Sequence, residues 1–81
     1  MNNDEMTKAI MEVFKNNQCN VGDMLSFFDF KKNLSSADAE LFDIVSHDLE
    51  SKNYFGIEGN IDKLQYRLKQ AGYDYILQTF S

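Results

Sequence analysis

Apolar residues recur with the period of an α-helix through the first segment of the chain, and this spacing constrains the fold more than any other feature. A helix is predicted from Asp4 to about Asn16, with Asn3 or Asp4 as its cap. Its apolar side chains fall at i, i+3, i+4, i+7 and i+8: Met6, Ala9, Ile10, Val13 and Phe14. Positions with this spacing lie on one face, so the helix is predicted to be amphipathic.

A second and shorter helix is predicted from Val21 to about Phe28. Met24 and Leu25 complete the helical spacing of its apolar residues, and Asn20 can cap its start. The polar run from 29 to 33 is expected to form a loop. Because so short a helix is unstable alone, this one depends on tertiary contacts.

The third helix is predicted from about Ser36 to Ser51. Its start carries a pattern that resembles a capping box, in which Ser35 is followed three residues later by Asp38. An apolar stripe follows, and its members are Leu41, Ile44, Val45 and Leu49. Asn53 is a suitable C-cap because asparagine tolerates the left-handed conformation.

Residues 54–71 support two interpretations that their periodicity does not separate. In the first, 54–57 form a short strand, 58–60 a turn, and the alternation of Leu64, Tyr66 and Leu68 a second strand. In the second, a helix runs from Ile61 to Ala71. A last helix begins at Gln70 or Tyr73 and ends near Phe80, with Ile76 and Leu77 on its apolar face.

The first interpretation predicts a single α+β domain over residues 1–81, winged-helix-like, with three N-terminal helices, a short two-stranded wing and a C-terminal helix. The second predicts an all-α bundle of four or five helices. Residues 49–57 (LESKNYFGI) resemble the end of a third helix that runs into the first wing strand of a winged helix-turn-helix domain. Residues 68–76 (LKQAGYDYI) resemble the family pattern Leu-Thr-x-x-Gly-x-x-Tyr-Leu, which closes the wing and opens the last helix.

The opening segment adds to this resemblance. Residues 6–14 (MTKAIMEVF) are similar to the first helix of the small YjcQ-like winged-helix proteins of bacteria and their phages. The resemblance implies a winged-helix fold, and it implies DNA binding as one function to be tested.

The lone cysteine and the N-terminal residues predict a cytoplasmic protein. Cys19 cannot form an internal disulfide, whereas small secreted domains usually need several. The first residues have neither a basic start nor a long apolar run, so we expect no signal peptide and no membrane span.

Acidic residues dominate the predicted third helix, within a chain of net charge −5. We interpret them either as a solvated face or as a docking face for a basic partner protein. The five residues are Asp38, Glu40, Asp43, Asp48 and Glu50. They would repel a DNA duplex from the helix that reads bases in a DNA-binding winged helix.

A small basic patch is the candidate for nucleic-acid contact. If residues 64–68 form a strand, Lys63, Arg67 and Lys69 share one face, and Lys31 and Lys32 can extend the patch. Three to five such charges predict weak binding that falls with salt. The alternative is that these charges protect an edge strand from aggregation.

No motif predicts catalysis, a metal, a cofactor or a small-molecule substrate. His47 pairs with Asp43 at helical spacing but lacks the further ligands that zinc requires, and nothing around Cys19 resembles a nucleophile motif. Aromatic residues, in contrast, are numerous, and the adjacent Phe27 and Phe28 cannot both face inward. We therefore predict a non-enzymatic protein-interaction or assembly module, with a protein partner or a homodimer. The alternative is a dimeric winged-helix DNA-binding transcriptional regulator that uses the basic patch.

Overall fold

The computed structural model describes residues 1–60 and 63–80. Within them the chain forms four α-helices and a three-stranded sheet. In chain order these are α1 (Asn3–Asn16), β1 (Met24–Ser26), α2 (Phe27–Lys31), α3 (Ala39–Ser51), β2 (Phe55–Glu58), β3 (Gln65–Leu68) and α4 (Gln70–Thr79). The predicted α+β class is confirmed, and the order is compatible with a winged-helix-like arrangement.

Helix α1 forms where its apolar spacing predicts it, but its cap lies one residue earlier than expected. The side-chain oxygen of Asn2 accepts a hydrogen bond from the Glu5 amide at 2.8 Å. The Glu5 carboxylate accepts one from the Asn2 amide at 3.0 Å, which completes a reciprocal capping box. Asn3 and Asp4 are therefore inside the helix. Asp4 and Glu5 lie in its first turn, where their negative charges interact favourably with the positive end of the helix dipole.

The predicted helix from Val21 to Phe28 is wrong, and the chain there enters the sheet instead. The Gly22 amide donates to the Leu68 carbonyl at 2.8 Å, and the Leu68 amide donates to the Asp23 carbonyl at 2.9 Å. These bonds place Met24–Ser26 beside β3 as a third strand, which the sequence did not predict. Helix α2 starts only at Phe27, and it occupies part of the predicted loop from 29 to 33.

The helix expected over 36–51 is confirmed, although its first turn is a 3₁₀ helix over Ser36–Asp38. The Ser35 hydroxyl donates to the Asp38 carboxylate at 3.0 Å, so this pair interacts through its side chains. Asn53 follows the helix with a φ of 62°, the left-handed conformation expected of it.

The sheet is antiparallel throughout and has the order β1-β3-β2. Tyr66 of β3 pairs with Leu25 on one side and with Ile57 on the other. The strand interpretation is therefore confirmed for Gln65–Leu68, and the all-α bundle is wrong. Ile61, where the competing helix was expected to begin, lies outside the described residues.

An aromatic cluster forms the centre of the core. Phe30 is fully buried, and its ring lies 5.3 Å from that of Phe14, 5.8 Å from that of Phe42 and 4.9 Å from that of Tyr66. Burial raises the pKa of the Tyr66 hydroxyl to about 12. A short chain gains much apolar area from few residues in this way, because each aromatic side chain buries about 150–250 Å².

Helix α4 packs unusually close to the chain that precedes β2. It begins at Gln70, one of the two predicted starts, and its Gly72 lies directly over the Tyr54 carbonyl. The same carbonyl accepts a hydrogen bond from the Lys69 amide at 3.0 Å. A side chain at position 72 therefore has no room.

Candidate functional site

The acidic residues predicted as a docking face are only partly on one surface. Glu40, Asp43 and Asp48 are exposed on α3. Glu50 is half-buried, and its carboxylate accepts a hydrogen bond from the Ile57 amide at 3.1 Å, which ties α3 to β2. Asp38 lies in the 3₁₀ turn and is also half-buried. The outer face of α3 is therefore acidic, with three of the five predicted residues on it.

The predicted basic patch is divided between two places. Arg67 lies on the outer face of the sheet, where its Nε donates to Glu58 at 2.7 Å and its Nη1 donates to the Gly22 carbonyl at 2.9 Å. The hydrogen bond from Arg67 lowers the pKa of the Glu58 carboxyl. Lys69 passes over Gly56 on the same sheet. Much of the charge that Arg67 could offer to a phosphate is thus already neutralised by Glu58.

The other lysines lie near α2. Lys32 forms an ion pair with Asp29, with 3.7 Å between nitrogen and oxygen. Lys31 and Lys63 line a common groove with Phe27 and Phe28. Lys63 therefore shares a groove with Lys31, and neither Arg67 nor Lys69 lines that groove.

Helix α2 exposes a phenylalanine that its neighbours cannot cover. Phe30 is anchored in the core, and a residue two positions away points about 200° around the helix from it. Phe28 therefore faces outward and is 69% exposed. Phe27 lies between these directions, 39% exposed, with its ring 5.7 Å from that of Phe42. Such exposure is the consequence of placing three phenylalanines in one short helix.

A groove of about 500 Å³ opens between α2 and the start of α3. Its floor consists of the buried rings of Phe42 and Tyr66, and Phe27 forms one wall. Lys31 and Asp43 are its charged lining residues. The remaining lining residues are small or apolar: Leu34, Ser35, Ser36 and Ala39.

A second groove of about 370 Å³ adjoins the first and shares Phe27 and Lys31 with it. Phe28 and Lys63 lie on its far side, with Ser26, Leu64 and Gln65. We call the two grooves together the α2 groove. It is mostly apolar, it carries charges of both signs, and an exposed phenylalanine stands beside it. Concave surfaces of this character commonly bind ligands or partner proteins.

The sequence indicated part of this site and missed the rest. It marked Phe27 and Phe28 as residues that could not both be buried. It did not indicate the groove, because Leu34, Phe42 and Tyr66 come from three separate elements and only the fold brings them together.

The surroundings of Cys19 do not activate its thiol. Burial first, and then the carboxylates of Asp23 and Asp29, raise the pKa of its thiol. A reactive cysteine requires a lowered pKa.

Across residues 1–60 and 63–80, no three His, Cys, Asp or Glu side chains are grouped so that they could hold a metal ion. In the same part of the chain, no helix has both the length and the apolar composition that crossing a membrane requires.

Comparisons of the chain with protein-family models, with curated proteins and with solved structures each find no match. The feature of this chain that indicates a function is therefore the geometry of the α2 groove.

Proposed function

We propose that the chain is a non-enzymatic protein-interaction module that docks a partner protein in the α2 groove. The observation that carries the proposal is the position of Phe28, which is 69% exposed beside the apolar groove floor. Phenylalanine is enriched at the centres of protein interfaces, where its burial contributes affinity. The proposal places the module in the cytoplasm, as the single cysteine predicts.

The architecture that we propose for this module is a reduced winged helix. The order helix, strand, helix, helix, strand, strand supports it, together with a sheet in which β3 lies between β1 and β2. A relationship to the YjcQ-like proteins belongs to the same proposal and rests on the sequence resemblance alone.

The acidic face of α3 extends the proposed docking surface. Asp43 belongs to both, since it lies on the outer side of α3 and also lines the α2 groove. Glu40 continues the negative charge along the helix, whereas Asp48 forms an ion pair with Lys52, with 3.1 Å between nitrogen and oxygen. In this arrangement the groove supplies the apolar contact, and the charged side chains at its border fix the orientation of the partner.

A selected peptide provides the test of docking. A peptide chosen from a displayed library for binding to this chain is expected to shift the NMR signals of Ala39, Phe42 and Tyr66. The Phe28→Ser variant should weaken its affinity about tenfold or more, because burying a phenylalanine contributes about 1.5–3 kcal/mol. Fluorescence anisotropy of the labelled peptide measures the change.

The matched control for Phe28→Ser is Leu77→Ser. Leu77 is also a large exposed apolar residue, but it belongs to α4. The prediction that it lies with Ile76 on the buried face of that helix is wrong, since Leu77 is 51% exposed. Its replacement should leave the peptide affinity unchanged. The proposal fails if Phe28→Ser binds the peptide as well as the original chain does, or if the peptide shifts signals outside the groove.

The alternative function, a dimeric DNA-binding regulator, has less support. Glu40, Asp43 and Asp48 occupy the outer face of α3, which would enter the major groove, and Arg67 is paired with Glu58. We expect no measurable binding to duplex DNA at physiological salt. Anisotropy of a labelled duplex checks this expectation. Tight binding that weakens with salt, and that the Lys63→Ala, Arg67→Ala double variant abolishes, would contradict this expectation. It would favour the DNA-binding function over the docking function.

A further inference from the structure

We infer that the occupant of the α2 groove is the α2 groove of a second copy of this chain, in a dimer with two-fold symmetry. The inference rests on the proposed docking function and names its partner. It follows from one juxtaposition: Asp43 lines the first groove, Phe28 lines the second, and Lys31 lines both.

The first groove carries one positive and one negative side chain, so it matches a partner that carries charges of both signs better than a partner of a single sign. Lys31 comes from α2 and Asp43 from α3, and both line the first groove. Among the described residues, no ion pair joins Lys31 to a carboxylate. A uniformly acidic partner would satisfy Lys31 and oppose Asp43, and a basic partner would do the reverse. A second copy satisfies both.

Two-fold symmetry doubles this match. In an isologous interface, residue i of one copy contacts residue j of the other, and the reverse contact forms as well. An axis that passes between Lys31 and Asp43 sets Lys31 of each copy against Asp43 of the other. The two ion pairs form together at the border of an apolar contact, where they fix the register of the two copies.

The shape of the surface is also self-complementary. Each copy presents an exposed ring, Phe28, on the smaller of the two adjoining grooves. The hollow of about 500 Å³ next to it shares Phe27 and Lys31 with that smaller groove. Because each Phe28 is 69% exposed, two reciprocal insertions would bury about 200–350 Å² of phenylalanine surface. A stable interface needs about 1,200–2,000 Å² in total, so the rings would supply about a sixth, and Phe27, Leu34 and the first turn of α3 would supply the rest. The interface would lie at the lower end of this range of areas, so we expect a weak dimer.

Exchange of the charges tests the inference. In sedimentation velocity at submillimolar concentration, the original chain should sediment as a dimer and dissociate on dilution. Lys31→Glu and Asp43→Lys should each weaken the dimer at least tenfold, because each variant places like charges together. An equal mixture of the two variants should recover the dimer, since Glu at 31 of one copy then meets Lys at 43 of the other.

The control is Lys32→Glu, which changes the same charge at the next position. Lys32 already pairs with Asp29 and does not line either groove, so the dimer should persist. Positions 31, 32 and 43 are all exposed, and circular dichroism verifies that each variant is folded.

Three results would overturn the inference. They are a monomer at every concentration, a mixture that associates no better than its components, and a dimer that both Lys31→Glu and Phe28→Ser leave intact. If the chain is monomeric and the selected peptide still requires Phe28, the second copy is excluded while the docking function stands. If the chain is monomeric and the peptide also binds the Phe28→Ser variant as tightly as the original chain, both the dimer and the docking function are excluded.

Discussion

Replacement of Phe30 by alanine is expected to lower the free energy of unfolding by about 3–5 kcal/mol. Phe30 is fully buried, and its ring contacts those of Phe14, Phe42 and Tyr66. Truncation removes the apolar transfer energy of the ring and leaves a cavity that three large aromatic groups cannot close. A domain of this length has a total stability of roughly 4–12 kcal/mol, so a large part of it would be lost.

Urea unfolding followed by circular dichroism measures this effect, and Phe28→Ala is its matched control. Phe28 belongs to the same helix and is the same residue type, yet it is 69% exposed. Its replacement should change the stability by less than about 0.5 kcal/mol. Equal losses in the two variants would show that Phe30 is not the centre of the core.

Replacement of Gly72 by alanine is expected to destabilise the protein although it lies in a helix. In an open helix this change stabilises by about 1 kcal/mol. Here the added Cβ would overlap the Tyr54 carbonyl oxygen and press on a Leu68 methyl group at 3.0 Å. The carbonyl cannot withdraw freely because it accepts the Lys69 hydrogen bond that positions the start of α4. Forced overpacking of this kind costs about 1–3 kcal/mol or more, so the net effect is a loss.

Gly56→Ala provides the comparison for Gly72→Ala. Its Cβ would meet only the flexible end of Lys69, at 3.3 Å from Cε, so the side chain can move aside. We expect a small change in melting temperature for Gly56→Ala and a drop of several degrees for Gly72→Ala. A higher melting temperature for Gly72→Ala would mean that α4 does not pack against Tyr54 in this way.

The long helices were predictable because their signal is local. In α1 and α3 the apolar residues repeat over more than two turns, and burial follows that repeat at Ile10, Phe14 and Leu49. The predicted stripe of α3 is wrong at Ile44, which is 56% exposed, because the helix turns Phe42 toward the core instead. The strand at 65–68 was predictable as one of two alternatives. Its alternation is real, since Tyr66 and Leu68 are buried while Gln65 is exposed, but four residues do not exclude a helix.

The region from 21 to 28 was not predictable from its own residues. Val21, Met24, Leu25 and Phe28 fit a helix face by coincidence of spacing, whereas the conformation depends on β3. A strand of three residues has no periodic signature, and its hydrogen bonds come from a segment far along the chain. The local spacing therefore predicted a helix, whereas pairing with β3 makes Met24–Ser26 a strand.

The site was predictable only in part for a related reason. The excess of aromatic residues in α2 is visible in the sequence, and Phe28 is indeed exposed. The neutralisation of Arg67 is not visible there, because Glu58 reaches it diagonally across two strands whose register the sequence does not state.

The central place of β3 also determines when the chain can fold. Met24 pairs with Arg67, and these partners are more than forty residues apart, whereas β2 and β3 are neighbours along the chain. Long-range pairing is slow because loop closure must precede the contacts that reward it. While the protein is being synthesised, β1 has no strand to join until β3 has left the ribosome. Phe30 therefore spends that interval without Tyr66, its partner ring in the sheet, and a chaperone that shields exposed aromatic residues would act at this stage.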